Sequence, residues 1–126
     1  MANAYTKIFK RIFPSYSRRD APFIEAYQDL YSAREFEFIA KVIKAREGRN
    51  FNQDIQQMIA DAEIFQLFWS SQAHHSGYVL SELKYALQCK RSEDFIRPIY
   101  WEVPLVSVPE QLASYHFTYL PKYAFS

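Results

Sequence analysis

Hydrophobic positions along the chain alternate between short continuous runs and helically spaced stripes. The run Ile64–Trp69, rich in aromatics and only six residues long, predicts a buried strand. A polar loop, Ser70–Gly77, follows it. From Tyr78 to Cys89, Val79, Leu83, Ala86 and Leu87 recur at helical spacing and predict an amphipathic helix. Tyr78, Glu82 and Tyr85 make a second stripe beside the first. Upstream, Ile8–Tyr16 reads as a first strand, although Pro14 lacks the N–H that a central strand donates. After the polar stretch Ser15–Asp20, Asp20 as N-cap and Pro22 in the first turn start a helix that reaches about Ala33. Phe36–Ile43 reads as a second strand, with a continued helix as the alternative because Lys41 and Lys44 weaken it. A charged loop, Ala45–Asn50, leads to a helix over Phe51–Ala62, whose buried face is Phe51, Ile55, Met58 and Ile59. Beyond the polar turn Arg91–Asp94, Phe95–Trp101 is a fourth strand, Pro109–Ser114 a helical turn and Phe117–Leu120 a fifth strand. This alternation predicts an α/β domain with a parallel sheet and helices on both faces.

Composition narrows the class. The length fits a single domain, and half the residues are apolar, enough for one core. A formal net charge of +1 gives no electrostatic ground for nucleic acid or an anionic membrane as partner. Cys89 is alone, so a reducing, cytoplasmic setting is expected. The N-terminal apolar residues alternate with Lys7, Lys10 and Arg11, unlike a signal peptide, and no apolar run approaches the ~20 residues of a membrane helix. The two glycines, Gly48 and Gly77, are each expected to mark a turn.

Ligands of open α/β sheets bind outside the carboxyl ends of the strands. Glu82 falls one helical turn past that edge, between the phenols of Tyr78 and Tyr85. It is expected on the helix surface, where its loss would cost less than about half a kcal/mol. Its i+3 and i+4 neighbours are Tyr85 and Ala86 rather than bases, so it is not the usual solvated helix pair. The spacing names a site but no reaction. The adjacent His74 and His75 do not suit a metal without further ligands. Ser76 reads as an N-cap, Cys89 as a small packing residue, and Trp101 and Glu102 are as readily structural as functional.

Several stretches, in register over nearly the whole chain, resemble Toll/interleukin-1 receptor (TIR) domains of bacterial type. Ser15-Tyr16-Ser17-Arg18-Arg19-Asp20 resembles the opening box, and Arg46-Glu47-Gly48-Arg49-Asn50-Phe51 the BB loop. Asp61–Ser70 and Phe95–Trp101 resemble the third and fourth strands. Ser76-Gly77-Tyr78-Val79-Leu80-Ser81-Glu82 resembles the pattern of serine, any residue, tryptophan, three residues, glutamate, with Tyr78 where tryptophan is usual. The resemblance implies a flavodoxin-like three-layer sandwich with five parallel strands in order 2-1-3-4-5. It also implies either cleavage of NAD+ at the nicotinamide–ribose bond, giving nicotinamide and ADP-ribose or a cyclic isomer, or a non-catalytic scaffold acting through TIR–TIR association. In the enzymes the matching glutamate is catalytic, which assigns that role to Glu82. NAD+ is then substrate, with no cofactor and no metal. The remaining roles implied are Arg18 or Arg19 on the diphosphate, Phe51 stacking on nicotinamide, Tyr78 beside the ligand, and self-association through an exposed loop of Arg46, Glu47, Gly48 and Arg49. Nicotinamide in NAD+ is already a cationic leaving group, so a carboxylate that orients the ribose and stabilises an oxocarbenium-like centre suffices. The chain departs from the family at Lys41, where the second strand usually ends in an acid, at Pro14 and at Gln66, and the family's last helix is expected to be short or missing.

Overall fold

A computed structural model describes residues 11–28, 33–47, 51–89, 92 and 94–121, the side chains of 28 and 33–36 excepted. The elements run β1 (Ile12–Ser15), a 3-10 turn (Arg18–Asp20), α1 (Ala21–Gln28), α2 (Ala33–Arg46), α3 (Gln53–Asp61), β2 (Ile64–Trp69), α4 (Ser71–His74), α5 (Gly77–Cys89), β3 (Ile96–Tyr100), a second 3-10 turn (Glu110–Leu112) and β4 (Thr118–Tyr119). The four strands form one sheet in the order β1-β2-β3-β4, all parallel.

Strand β2 is the middle of this sheet. It pairs with β1 through Phe13↔Phe65 and with β3 through Phe65↔Ile96, and all six of its residues are buried. A strand covered on both faces has no use for polar alternation, which is why its sequence is a near-continuous apolar run. Successive side chains still point to opposite faces. Phe65, Leu67 and Trp69 join Ile55 and Ile59 of α3 and Val79, Leu83 and Ala86 of α5 in the main core. Phe68 turns the other way, to Phe23 and Ile24 of α1, to Tyr16 and to Ile99. Each fully buried Phe or Leu contributes roughly 1.5–3 kcal/mol. Trp101 is structural, with its ring stacked on Phe23 at 3.9 Å.

The expected second strand, Phe36–Ile43, is instead part of α2, the helical alternative. The pattern shows why. A strand would put Ile39, Lys41 and Ile43 on one face, whereas a helix puts Ile39, Val42, Ile43 and Arg46 inward and leaves Lys41 and Lys44 outside. Ile39 and Val42 are buried and both lysines are exposed. Lys41 therefore stands on a helix surface, not at a strand end. The described sheet has four strands rather than five, and β1 has no partner strand but β2 among the described residues. Helix α2 lies against it, with Ile39 packed on Ile12 and Ile64. Pro14 is acceptable there because, among the described residues, no second neighbouring strand calls on its N–H.

The part of the first strand before Arg11 lies outside the described residues, as does Gly48. Gly77 is the first residue of α5, and a Cβ there would meet nothing within 4 Å, so this glycine is not required by space. Among the described residues no helix is long and apolar enough to cross a membrane.

Candidate functional site

The site is built where β1 and β2 end and α5 passes behind them. Val79, Glu82, Leu83 and Ala86 recur at i, i+3, i+4 and i+7, and all four are buried. Glu82 thus shares the core-facing stripe, with none of its surface exposed. This corrects the expectation of a surface glutamate. A buried carboxylate must be paired and hydrogen-bonded, and Glu82 is both. Ser15, at the end of β1, donates Oγ–H to Oε1 at 2.7 Å. Arg46, the last residue of α2, donates Nε–H to Oε2 at 2.8 Å and Nη2–H to Oε1 at 3.0 Å.

Arg46 is fastened in turn. Its Nη2 also donates to the Tyr16 carbonyl at 2.6 Å, and its own carbonyl accepts from Arg18 Nη2 at 3.0 Å. The guanidinium carbon lies 4.1 Å from the centre of the Tyr16 ring and 5.0 Å from that of Tyr78, in cation–π range. In this cluster Arg46 Nη1 and the Tyr78 hydroxyl are buried without a hydrogen-bond partner among the described residues.

Electrostatics follow from the burial. Burial pushes the Glu82 carboxyl above its ordinary range, while Arg46 and then Ser15 pull it back. Burial opposes the charge on Arg46, but Glu82, Tyr16 and Tyr78 together outweigh it and hold the guanidinium above its usual value. Burial also raises the Tyr16 and Tyr78 phenols, against the pull of Arg46.

A cavity of about 540 Å³ opens over this cluster, lined by Tyr16, Arg18, Arg19, Arg46, His75 and Tyr78, with Ser17, Gln72 and Ser76. Its size is that of an ordinary small-molecule pocket. Glu82 does not line it; Arg46, which does, holds the carboxylate. A larger cavity of about 680 Å³ lies at β3 and β4, along Gln66, Arg97 and His116, and contains none of the expected site residues.

The structure therefore brings Arg18, Arg19 and Tyr78 to one cavity and sets Glu82 behind Arg46. Phe51 is half-buried, in edge contact with Tyr78 and Tyr85 at 6.5 and 6.3 Å, and does not line the cavity. The expected exposed loop begins later than anticipated. Arg46 belongs to α2 and is 3% exposed, because the helical period carries it to the inner face; Glu47 is exposed; Gly48 and Arg49 lie outside the described residues. Ser76 caps α5 by accepting from Val79 N–H at 3.2 Å. Glu102 is structural: its carboxylate accepts from Ser71 N–H and Oγ–H at the start of α4. Sequence reasoning missed Ser15 and the pairing role of Arg46. The available signal was a glutamate inside an apolar helical stripe, which demands a buried cation, and the inward period of α2 ending in Arg46.

The family model for the TIR domain matches residues 12–124. No curated protein and no solved structure matches the chain.

Proposed function

Because the chain belongs to the TIR domain family, and is a signalling module of that kind, we propose that it is an NAD+ glycohydrolase that works on self-association, with Glu82 as its catalytic carboxylate. Water adds to the ribose C1′, the C1′–nitrogen bond breaks, and nicotinamide leaves with the bonding pair. NAD+ and water give ADP-ribose, nicotinamide and a proton; a ribose-side nucleophile in place of water gives a cyclic isomer. No general acid is required, since the leaving group departs neutral. Glu82 orients the ribose hydroxyls and stabilises the oxocarbenium-like centre. Arg18 and Arg19 face the diphosphate, Tyr78 flanks the ligand, and Phe51, next to Tyr78, borders the nicotinamide end.

The observation that carries this reading is the cavity at the strand ends, with arginines and phenols around it and a buried carboxylate directly behind. Arg46 neutralises Glu82, so on this reading cleavage needs that ion pair opened. Association through the segment after Arg46, from Glu47 on, is the event proposed to favour opening.

One observation favours the alternative, a non-catalytic scaffold acting through TIR–TIR contacts. Both Glu82 oxygens are already bonded and none of the residue is exposed, as in a structural ion pair. Incubating concentrated protein with NAD+ and measuring free nicotinamide decides between them. Release that rises more than linearly with protein concentration and is lost in Glu82→Gln is the expected result. No release at any concentration leaves the scaffold.

A further inference from the structure

We infer that Arg46 is a phosphate-binding residue of this site, and that a diphosphate-bearing ligand frees Glu82 by taking over the Arg46 guanidinium. This deepens the glycohydrolase reading and rests on it for the identity of the ligand. The exchange itself is argued from three features of the cavity.

The first is charge. The residues lining the cavity include Arg18, Arg19 and Arg46 and no aspartate or glutamate among those described. Three guanidinium groups line this one opening, and the carboxylate bonded to Arg46, Glu82, lies behind the wall rather than in it, an arrangement that suits an anion.

The second is an unused donor. Arg46 is almost wholly buried, yet its Nη1 has no acceptor among the described residues, while Nε and Nη2 are occupied by Glu82 and Tyr16. A guanidinium carries five N–H groups in a fixed fork, and a buried one left unpaired is costly. Nη1 is closed off as the side chain stands, so a phosphate oxygen reaches it as the guanidinium turns toward the cavity. The Tyr78 hydroxyl is likewise buried and without a hydrogen-bond partner among the described residues, and becomes a second donor only if the same movement uncovers it.

The third is competition. Carboxylate and phosphate both fit the fork of an arginine, and one fork cannot serve both fully. As the phosphate gains Arg46, Glu82 loses its counter-charge and keeps only the Ser15 hydroxyl. The ligand itself thereby produces the uncompensated carboxylate that an oxocarbenium-like centre needs. Tyr16 and Tyr78 hold the guanidinium in cation–π contact along the way, at 4.1 and 5.0 Å from their ring centres.

The test follows the side-chain Nε–H signal of Arg46 in protein labelled with nitrogen-15 arginine, assigned through its loss in Arg46→Lys, or through its shift in Glu82→Gln should the lysine variant not fold. ADP-ribose, inorganic pyrophosphate and adenosine are titrated at matched ionic strength. The expected result is a saturable shift of this signal with ADP-ribose and with pyrophosphate, and none with adenosine. An Arg46 signal that neither phosphate compound moves overturns the inference, as does an equal shift with adenosine. Ligand-dependent movement of Arg46 without any nicotinamide release from NAD+ keeps this inference and removes the glycohydrolase. Nicotinamide release with an unmoved Arg46 does the reverse.

Discussion

Arg46 on α2 grips Glu82 on α5 across 36 residues of chain, Nε to Oε2 at 2.8 Å and Nη2 to Oε1 at 3.0 Å, with neither side chain more than 4% exposed. The pair ties together helices that flank the sheet differently, α2 against β1 and α5 against α3. Its energetics are those of a buried ion pair, in which losing one partner strands the other charge.

Glu82→Ala and Arg46→Ala are each expected to lower stability by about 3–5 kcal/mol, far more than a surface glutamate would cost. Replacing both members by apolar residues of similar volume, as in Arg46→Met/Glu82→Leu, is expected to recover most of that loss, because no charge remains buried. Urea denaturation of the four proteins checks this. Additive losses in the double variant would mean that the two residues do not stabilise the fold as a pair.

Ser15→Ala removes the third bond to the carboxylate and leaves Arg46 in place. A hydrogen bond to a charged group is worth about 1.5–3 kcal/mol, so the loss should fall in that range and below that of Arg46→Ala. In Glu82→Gln the same Ser15 substitution should cost less, and the difference between the two backgrounds measures the Ser15–Glu82 coupling.

Tyr16 and Tyr78 supply a pH dependence on the alkaline side. Their phenols are raised in the folded protein, chiefly by burial. The unfolded phenol ionises near pH ~10. Above that pH the unfolded chain has lost protons that the folded one keeps, so the contribution to stability is complete below about pH 10 and is lost as pH rises through the folded values. Melting temperature should fall above pH ~10 in wild type and fall less steeply in Tyr16→Phe/Tyr78→Phe, whose remaining tyrosines are unchanged. Equal slopes would contradict the burial of these hydroxyls.

Gly77 begins α5 with open space where a Cβ would go. Gly77→Ala is therefore expected to stabilise the protein by about 0.4–1 kcal/mol through the unfolded chain's lost freedom. Thermal melts of the single variant are enough to check it, and a destabilised variant would mean that the turn before α5 needs glycine.

Helix α2 predicts an asymmetry that a strand there would not. Ile39→Ala, at a position 1% exposed, should cost about 2–5 kcal/mol. Lys41→Ala, two residues on and exposed, should leave stability nearly unchanged. In a strand the two side chains would share a face and respond alike.

By itself the sequence determined what depends on local pattern. The run Ile64–Trp69 has no polar alternation, and such a run is stable only as a strand covered on both faces, as β2 is. The stripes of α3 and α5, the Ser76 cap and the short strand around Thr118 follow from period and turn chemistry in the same way. The family motifs, lying in order along nearly all of the chain, placed Arg18, Arg19, Tyr78 and Glu82 in one region before any contact was known. Phe36–Ile43 was ambiguous, because eight residues with apolar side chains at both two- and three-residue spacing fit either period. Only packing against Ile12 and Ile64 decided for the helix. The state of Glu82 was beyond local pattern altogether. Whether a carboxylate on an amphipathic helix is solvated or buried depends on what faces it, and its partners Ser15 and Arg46 stand 67 and 36 residues away. Such long-range pairing exists only once the strands have aligned, so the tertiary structure alone decided that this glutamate is held by an arginine.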